Sequence, residues 1–356
     1  RPHQAPVYDV APTGVDRTVI TAGADGYVKA NAAAPADDSI PAYESFAGGA
    51  KFLGDGRLVT WGYDPDGNSL KLWRLADGGA TAEKVMELDT GAIHVTDVAV
   101  LPSRQEIAYV GFEWRSGSRE PRNELAIWGL VSDERRPLME SIGRTRELLL
   151  SKGGDRLFAS VGNTLAVVDL SESEEVRQIP FEGDGVLKIC RHPVSDVIAV
   201  GEWLSQPPHR VTILQAEHLS QDFERSASVA TLDTGDDMIW SLDISSDGKL
   251  AAGTSSGDIL VWQDFAQASP LRLTGHVANA YRVRFSPSGN RLASAGLDGT
   301  VRFWNPITGN ELLHFATKTA WNYHVSFSPD GDTIAYSGGV GTFSTPICFI
   351  RSEENR

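Results

Sequence analysis

Apolar and polar residues alternate with a period of two along most of the chain, in short runs separated by turns rich in Gly, Asp, Asn and Pro. The clearest example reads YRVRFS, PSGN, RLASAG, LDG and TVRFW across residues 281–304, followed by ELLHFA at 311–316. Such alternation puts successive side chains on opposite faces of a strand, and the turn residues are those of tight hairpins. No segment sustains a helical period. The pattern predicts an all-β chain of antiparallel strands.

A unit of four short strands recurs eight times along the chain. Its third strand ends at equivalent residues in each copy, and these are Asn31, Trp73, Trp128, Val168, Leu214, Trp262, Trp304 and Ile350. Such a unit cannot bury both of its faces alone, so units of this kind stack around a central channel. The sequence therefore predicts a β-propeller with eight blades, each a four-stranded antiparallel sheet.

The seventh copy carries the most complete motifs, with TGH at 274–276, FSPSG at 285–289, SAGLDG at 294–299 and VRFWN at 301–305. On these motifs the chain resembles the WD-repeat β-propeller family, with Asn305 in place of the family's Asp. The resemblance implies a buried, hydrogen-bonded structural tetrad formed by His276, Ser294, Asp298 and Trp304. A catalytic Ser/His/Asp interpretation is disfavoured because Ser294 falls within a predicted strand rather than on an exposed elbow.

The eighth copy lacks a fourth strand at the end of the chain, so the number of blades has an alternative. Its third strand is PICFIRS at 346–352, and only four residues follow it. In the family that the chain resembles, the missing strand is usually supplied by residues before the first copy, but only Arg1 and Pro2 precede His3. The alternative to eight blades is a seven-bladed ring with one additional unit.

Composition narrows the class of function. The chain has 32 basic and 47 acidic residues, a formal net charge of −15, and no run of Lys or Arg, which argues against a nucleic-acid partner. Its apolar runs are too short to cross a bilayer, so membrane insertion is not expected. The two cysteines, Cys190 and Cys348, form neither a disulfide framework nor a zinc motif. No metal and no cofactor are predicted, and DPDGNS at 64–69 reads as a hairpin turn rather than a calcium loop.

Residues 1–356 read as a single propeller domain. Because the sequence begins at Arg1 rather than Met, we interpret the chain as excised from or processed out of a longer one. Any targeting signal would then lie upstream, and neither localisation nor oligomeric state is predicted.

Three hairpins between second and third strands are lengthened, at 112–123, 202–209 and 338–346. In a propeller these hairpins and the loops before the first strands emerge on one face. Two of the inserts carry a tryptophan, Trp114 and Trp203, and elaborated loops on one face of a scaffold are common binding sites. The alternative is that these tryptophans fold back over neighbouring loops.

Aromatic residues also open the first strand of four copies that are consecutive in a closed ring. They are Tyr8, Trp240, Tyr281 and Tyr323, and Trp321 in the loop before Tyr323 joins them. We expect an arc of aromatics near the channel mouth, with Trp114 and Trp203 across the ring from it. Packing between blades is the alternative role for these rings.

These features favour a non-catalytic scaffold or recognition domain that binds a protein or peptide through the loop-bearing face. Asp236 and Asp237 lead into Trp240, which predicts a partner with Lys or Arg. The alternative is a propeller enzyme of hydrolase or lyase type with its active site at the channel mouth. That class requires a converging cluster of histidines and carboxylates or a metal site, and the sequence offers no such constellation.

Overall fold

The computed structural model describes residues 7–12, 19–23, 28–31, 39–40, 46–53, 57–76, 81–117, 121–142, 145–171, 174–216, 219, 228–267, 269–317, 321–327, 331, 333–339 and 348–351. Almost all of these residues lie in strands and turns, and a short 3-10 helix spans Pro102–Arg104. Within the described residues, no helix is both long and apolar enough to span a bilayer.

The first sixteen strands form sheets 1 to 4. They are β1 (Val7–Pro12), β2 (Val19–Gly23), β3 (Val28–Asn31) and β4 (Ser39–Ile40); β5 (Phe46–Phe52), β6 (Arg57–Asp64), β7 (Gly67–Ala76) and β8 (Thr81–Gly91); β9 (His94–Leu101), β10 (Glu106–Glu113), β11 (Arg122–Gly129) and β12 (Arg135–Ile142); β13 (Thr145–Leu150), β14 (Arg156–Val161), β15 (Thr164–Asp169) and β16 (Val176–Pro180).

The remaining strands form sheets 5 to 8. They are β17 (Gly185–Arg191), β18 (Val197–Trp203), β19 (His209–Gln215) and β20 (Ser228–Gly235); β21 (Ile239–Ile244), β22 (Leu250–Thr254), β23 (Ile259–Trp262) and β24 (Leu271–Leu273); β25 (Ala280–Phe285), β26 (Leu292–Gly296), β27 (Thr300–Trp304) and β28 (Glu311–Ala316); β29 (Trp321–Phe327), β30 (Thr333–Gly339) and β31 (Cys348–Arg351).

Each repeat of the sequence corresponds to one sheet, and within each sheet the strands lie in chain order. In the described residues, sheets 1 to 7 have four strands and sheet 8 has three. The pairings are antiparallel hairpins, as in β26 with β27, where Leu292 pairs with Trp304. The predicted all-β, antiparallel class is confirmed. Because successive strands run in opposite directions, the second-to-third hairpin of a sheet lies at the end where its first strand begins, and we call this the leading end.

The chain divides into two compact units. Unit 1 comprises Arg1–Val95, Arg284–Asn305 and Glu311–Arg356, and unit 2 comprises Thr96–Val283 and Pro306–Asn310. In unit 2, apolar clusters fill the space between sheets 3 and 4, between sheets 4 and 5, and between sheets 5 and 6. In unit 1, a similar cluster joins sheets 7 and 8. Face-to-face packing of consecutive sheets is the arrangement that the repeated pattern predicts.

In copy two the second-to-third hairpin is made of long strands and a short turn. In copy two, β6 and β7 pair as far as Asp64 with Gly67, leaving a two-residue turn. This is the hairpin predicted for DPDGNS. In copy three, β10 and β11 pair as far as Glu113 with Arg122, and residues 114–117 of the insert follow β10 outside the strands. The third insert, at 338–346, lies largely outside the described residues.

Six of the first strands carry a β-bulge near their beginning. The pairing register shifts between Val7 and Asp9, Ala47 and Gly49, Thr145 and Leu148, Val186 and Lys188, Ile239 and Ser241, and Asn322 and His324. A bulge leaves its extra residue unpaired and redirects the side chain. The sequence suggests that Tyr8, Trp240 and Tyr323 are the first residues of their strands. In the structure each is a bulged residue inside its strand.

Side chains near the beginning of first strands tie consecutive sheets of unit 2 together. Asp97 Oδ2 accepts the backbone N–H of Leu148 at 2.8 Å, and Ser241 Oγ accepts that of Val283 at 3.1 Å. Glu147 Oε2 accepts the N–H of Ile189 at 2.9 Å, and its other oxygen accepts from Lys188 Nζ at 2.7 Å. Burial opposes ionisation of Glu147, but Lys188 and Arg282 outweigh it, so the pKa of Glu147 lies below its ordinary value.

Candidate partner-binding site

The residues of the expected tetrad are buried. Trp304 Nε1 donates a hydrogen bond to Ser294 Oγ at 2.9 Å, and Ser294 is fully buried within β26. Asp298 accepts hydrogen bonds from the backbone N–H of Thr300 at 3.0 Å and from its hydroxyl at 2.8 Å. His276 is 6% exposed. A hydroxyl buried in a strand cannot reach a substrate, which fits the structural role that we propose for this set.

Equivalent positions in other sheets show how the indole N–H is satisfied. In sheet 7, Trp304 pairs with Leu292 in the neighbouring strand, and its acceptor Ser294 is two residues further along that strand. The same register puts Thr60 beneath Trp73, and Trp73 Nε1 donates to Thr60 Oγ1 at 3.0 Å. In sheet 6 the position is Ala252, and the buried Nε1 of Trp262 has no hydrogen-bond partner. Sheet 6 therefore holds an unsatisfied donor, which costs stability.

We expect Ala252→Ser to stabilise the protein by about 1 kcal/mol, because the new hydroxyl gives Trp262 the acceptor that Ser294 gives Trp304. The reverse change, Ser294→Ala, should cost about 1–2 kcal/mol. Urea midpoints measure both. Ala251→Ser is the matched control, since this neighbouring buried residue faces away from Trp262 and should only lose stability. An unchanged or lower midpoint for Ala252→Ser would contradict the assignment.

Two of the predicted aromatics lie against one another at the leading ends of sheets 6 and 7. The rings of Trp240 and Tyr281 are stacked, with centroids 5.4 Å apart and an interplanar angle of 26°. Both side chains are half-buried. Trp240 owes its direction to the bulge in β21, and Tyr281 is the second residue of β25. The two rings belong to neighbouring sheets and pack against each other, as the alternative of packing between blades expects, but neither is fully buried.

Asn279 fixes the indole of this pair. With the amide oriented so that each atom meets a suitable partner, its oxygen accepts from Trp240 Nε1 at 3.0 Å and its nitrogen donates to the carbonyl of Ser255 at 2.9 Å. Ser255 in turn exchanges hydrogen bonds with Met238, through its backbone N–H at 2.9 Å and its hydroxyl at 3.1 Å. Three leading-end segments are thus joined beneath the aromatic pair. Sequence reasoning missed Asn279 because nothing local marks an amide that bonds 39 residues away.

A glycine allows two of these segments to touch. Gly257, in the β22–β23 hairpin, has a φ of +96°, and a Cβ added there would lie 2.7 Å from the backbone oxygens of His276 and Ala278. The loop that this hairpin supports carries Val277, whose side chain is 87% exposed. Trp240, Tyr281, Asn279 and Val277, together with the acidic residues beside them, form a site that we call the aromatic rim.

The acidic residues at the rim are partly neutralised. Arg272 in β24 contacts Asp258 at 2.5 Å and Asp237 at 3.2 Å, and the hydrogen bond that Arg272 donates to Asp258 is the main reason that the pKa of Arg272 is raised. Asp236 is exposed. Asp237 was predicted to contact a partner, but it already forms an ion pair with Arg272. The accessible negative charge is that of Asp236.

The inserted tryptophans are exposed. The exposed fraction is 55% for Trp114 and 40% for Trp203, so neither is folded away beneath neighbouring loops. The expectation that Trp203 lies across the ring from the arc is wrong. Its strand packs directly against β21, since a Cβ added at Gly201 would lie 3.2 Å from Leu242 Cδ1. Trp203 therefore belongs to the sheet next to that of Trp240.

The other members of the expected arc are described only as backbone. Tyr8 lies in β1, and Tyr323 lies in β29. Trp321 is the first residue of β29, not a loop residue as the sequence had suggested. The side chains of these three residues lie outside the described part of the structure, so the stacked pair is the part of the arc that the structure describes.

The repeats and the sheets are those of a β-propeller, and two of the repeats match a known family. The family described as "WD domain, G-beta repeat" matches residues 226–263 and 268–305, which are the sixth and seventh copies. No curated protein matches the chain in sequence.

Solved structures similar to this chain are WD-repeat propellers called Sqt1. A crystal structure of Sqt1 from Chaetomium thermophilum is 19% identical over 98% of this chain and 97% of that chain, with a TM-score of 0.71. The same protein bound to the N-terminus of the ribosomal protein L10 is 18% identical over 98% of each chain, with a TM-score of 0.71. Sqt1 from Saccharomyces cerevisiae is 13% identical over 97% of each chain, again with a TM-score of 0.71. At these identities the similarity establishes the fold.

Proposed function

We propose that the chain is an eight-bladed propeller that acts as a non-catalytic scaffold and binds a protein or peptide at the aromatic rim. The eight sheets support eight blades over the seven-bladed alternative. The observation that carries the functional proposal is the stacked Trp240–Tyr281 pair, held by Asn279 and only half-buried.

Large aromatic side chains that are already fixed in position suit a binding site. They offer apolar area at little further loss of conformational entropy, and such residues dominate the binding energy of many interfaces. Val277 adds exposed apolar surface next to the pair, and Trp203 adds more on the neighbouring sheet. Binding at loops on one end of a sheet scaffold is also common.

The partner that we propose is a basic protein segment. Asp236 is exposed, and the chain as a whole has a formal net charge of −15, which favours a cationic partner and disfavours nucleic acid. The Sqt1 structure bound to the N-terminus of a ribosomal protein supports a protein segment as the class of partner. No observation in the described residues favours the enzyme alternative, and no group of three or more His, Cys, Asp or Glu side chains there is placed to hold a metal.

Photo-crosslinking tests the proposal at a defined position. Val277→p-benzoylphenylalanine puts the reactive group at the rim, and we expect it to capture a partner protein from the native lysate. Val194→p-benzoylphenylalanine is the matched control, because Val194 is 56% exposed in the β17–β18 turn at the other end of sheet 5. Capture should vanish when Trp240→Ala is added. Equal capture from both positions, or capture that ignores Trp240, would overturn the proposal.

A further inference from the structure

We propose that the aromatic rim recognises an arginine side chain, whose guanidinium stacks on the Trp240–Tyr281 pair and pairs with Asp236. The inference rests on the proposed function and specifies the chemistry of the partner at that site. Three features of the rim carry it, and each excludes a different kind of ligand group.

The first feature is the hydrogen bonding of the indole. Asn279 already accepts the N–H of Trp240. The indole therefore has no donor left for a ligand carbonyl or carboxylate, and it presents only its π surface. A π face attracts cations, and Trp is the strongest of the aromatic side chains in this respect.

The second feature is the geometry of the pair. The two rings are close to parallel, at 26°, and lie one against the other. The outer face of a ring in such a stack is a flat surface, unlike the converging faces that enclose a quaternary ammonium group. A planar guanidinium stacks on a flat π surface, whereas a lysine ammonium is a compact and strongly hydrated point charge. The rim geometry thus favours arginine over lysine and over methylated lysine.

The third feature is the distribution of carboxylates. Arg272 donates hydrogen bonds to both Asp237 and Asp258. The carboxylates of this rim therefore already bind one guanidinium within the chain. Asp236 is adjacent to this bridge in sequence, is exposed, and lies four residues before Trp240. A guanidinium stacked on the rings would use this carboxylate as its charge partner, because planar N–H groups pair well with a carboxylate.

Fluorine NMR of the full chain labelled with 5-fluorotryptophan tests the inference. The Trp240 resonance is assigned from the spectrum of Trp240→Phe. Three probes are titrated, which are acetyl-Gly-Arg-Gly-Arg-Gly amide and the same peptide with lysine or citrulline in place of arginine. We expect the arginine peptide to shift the Trp240 resonance with an affinity at least about fivefold higher than the lysine peptide, and the citrulline peptide to leave it unmoved.

Asp236→Asn should weaken the arginine peptide about threefold or more. The control is Asp264→Asn, which removes an exposed carboxylate from the turn after β23, at the other end of sheet 6. Equal affinity for the arginine and lysine peptides, or no shift at Trp240 with any of them, would overturn the inference. Crosslinking from position 277 is independent of these peptides, so the proposed function can survive the loss of the arginine assignment.

Discussion

Trp240→Ala should lower the affinity for a partner captured at the rim by about 30-fold, or ~2 kcal/mol, and Tyr281→Ala should do the same. Each change removes a large aromatic face, and each also removes the support of the other ring, which is 5.4 Å away. Because the two rings are in contact, their effects should not add, and the double variant should lose less than the sum. Isothermal titration calorimetry with the purified partner measures the three affinities.

Two controls separate binding from folding. Trp114→Ala removes an exposed tryptophan that directly follows β10 of sheet 3, and we expect a loss of less than about threefold unless the partner covers that sheet as well. Circular dichroism should show each variant folded. Folded Trp240→Ala and Tyr281→Ala proteins that bind the partner as tightly as the parent would refute the assignment of the aromatic rim.

Gly257→Ala should destabilise the protein by about 3 kcal/mol, the largest effect that we expect from adding a single methyl group. The new Cβ would lie 2.7 Å from two backbone oxygens of the loop that carries Asn279, and neither oxygen belongs to a flexible side chain. Relief requires the loop to move. The indole of Trp240 would then lose its partner, so binding at the rim should weaken together with stability.

The matched control isolates the clash from the cost of the backbone conformation. Gly248 has a φ of +91°, close to that of Gly257, but its nearest neighbour would be His192 Nε2 at 3.9 Å. Gly248→Ala should therefore cost only about 1 kcal/mol, the penalty of a left-handed alanine. Denaturant midpoints compare the two variants directly. Equal losses would show that the contact between hairpin and loop is not tight.

Short apolar runs and the turns between them sufficed to predict the strands. TVRFW forms β27, in which Val301 and Phe303 are buried and Thr300 and Arg302 are not, whereas β26 lies within RLASAG and is buried at every position. The site was only partly predictable. Trp240 and Tyr281 stood out as aromatics at equivalent positions, but their stacking depends on a bulge, which is a property of the paired backbone and has no signature in composition.

Long-range partners account for what the sequence did not reveal. Asp237 reads as an exposed acid beside Trp240, yet its partner Arg272 is 35 residues away on another strand. The missing acceptor of Trp262 becomes visible only once the register puts Ala252 beneath it. In each case strand pairing determines which residue lies next to the side chain. The order of residues in the sequence alone therefore does not predict that neighbour.

The hydrogen bonds from Leu148 to Asp97, from Ile189 to Glu147 and from Val283 to Ser241 all run in one direction. In each, the group that satisfies a backbone N–H of one sheet is encoded in an earlier repeat. A single sequence repeat therefore does not contain all the acceptors that its own backbone N–H groups need. A repeat moved or deleted as a block would leave its successor with a buried donor that has lost its acceptor. Grafts between propellers of this type should therefore include the first strand of the preceding repeat, so that each acceptor travels with the sheet that depends on it.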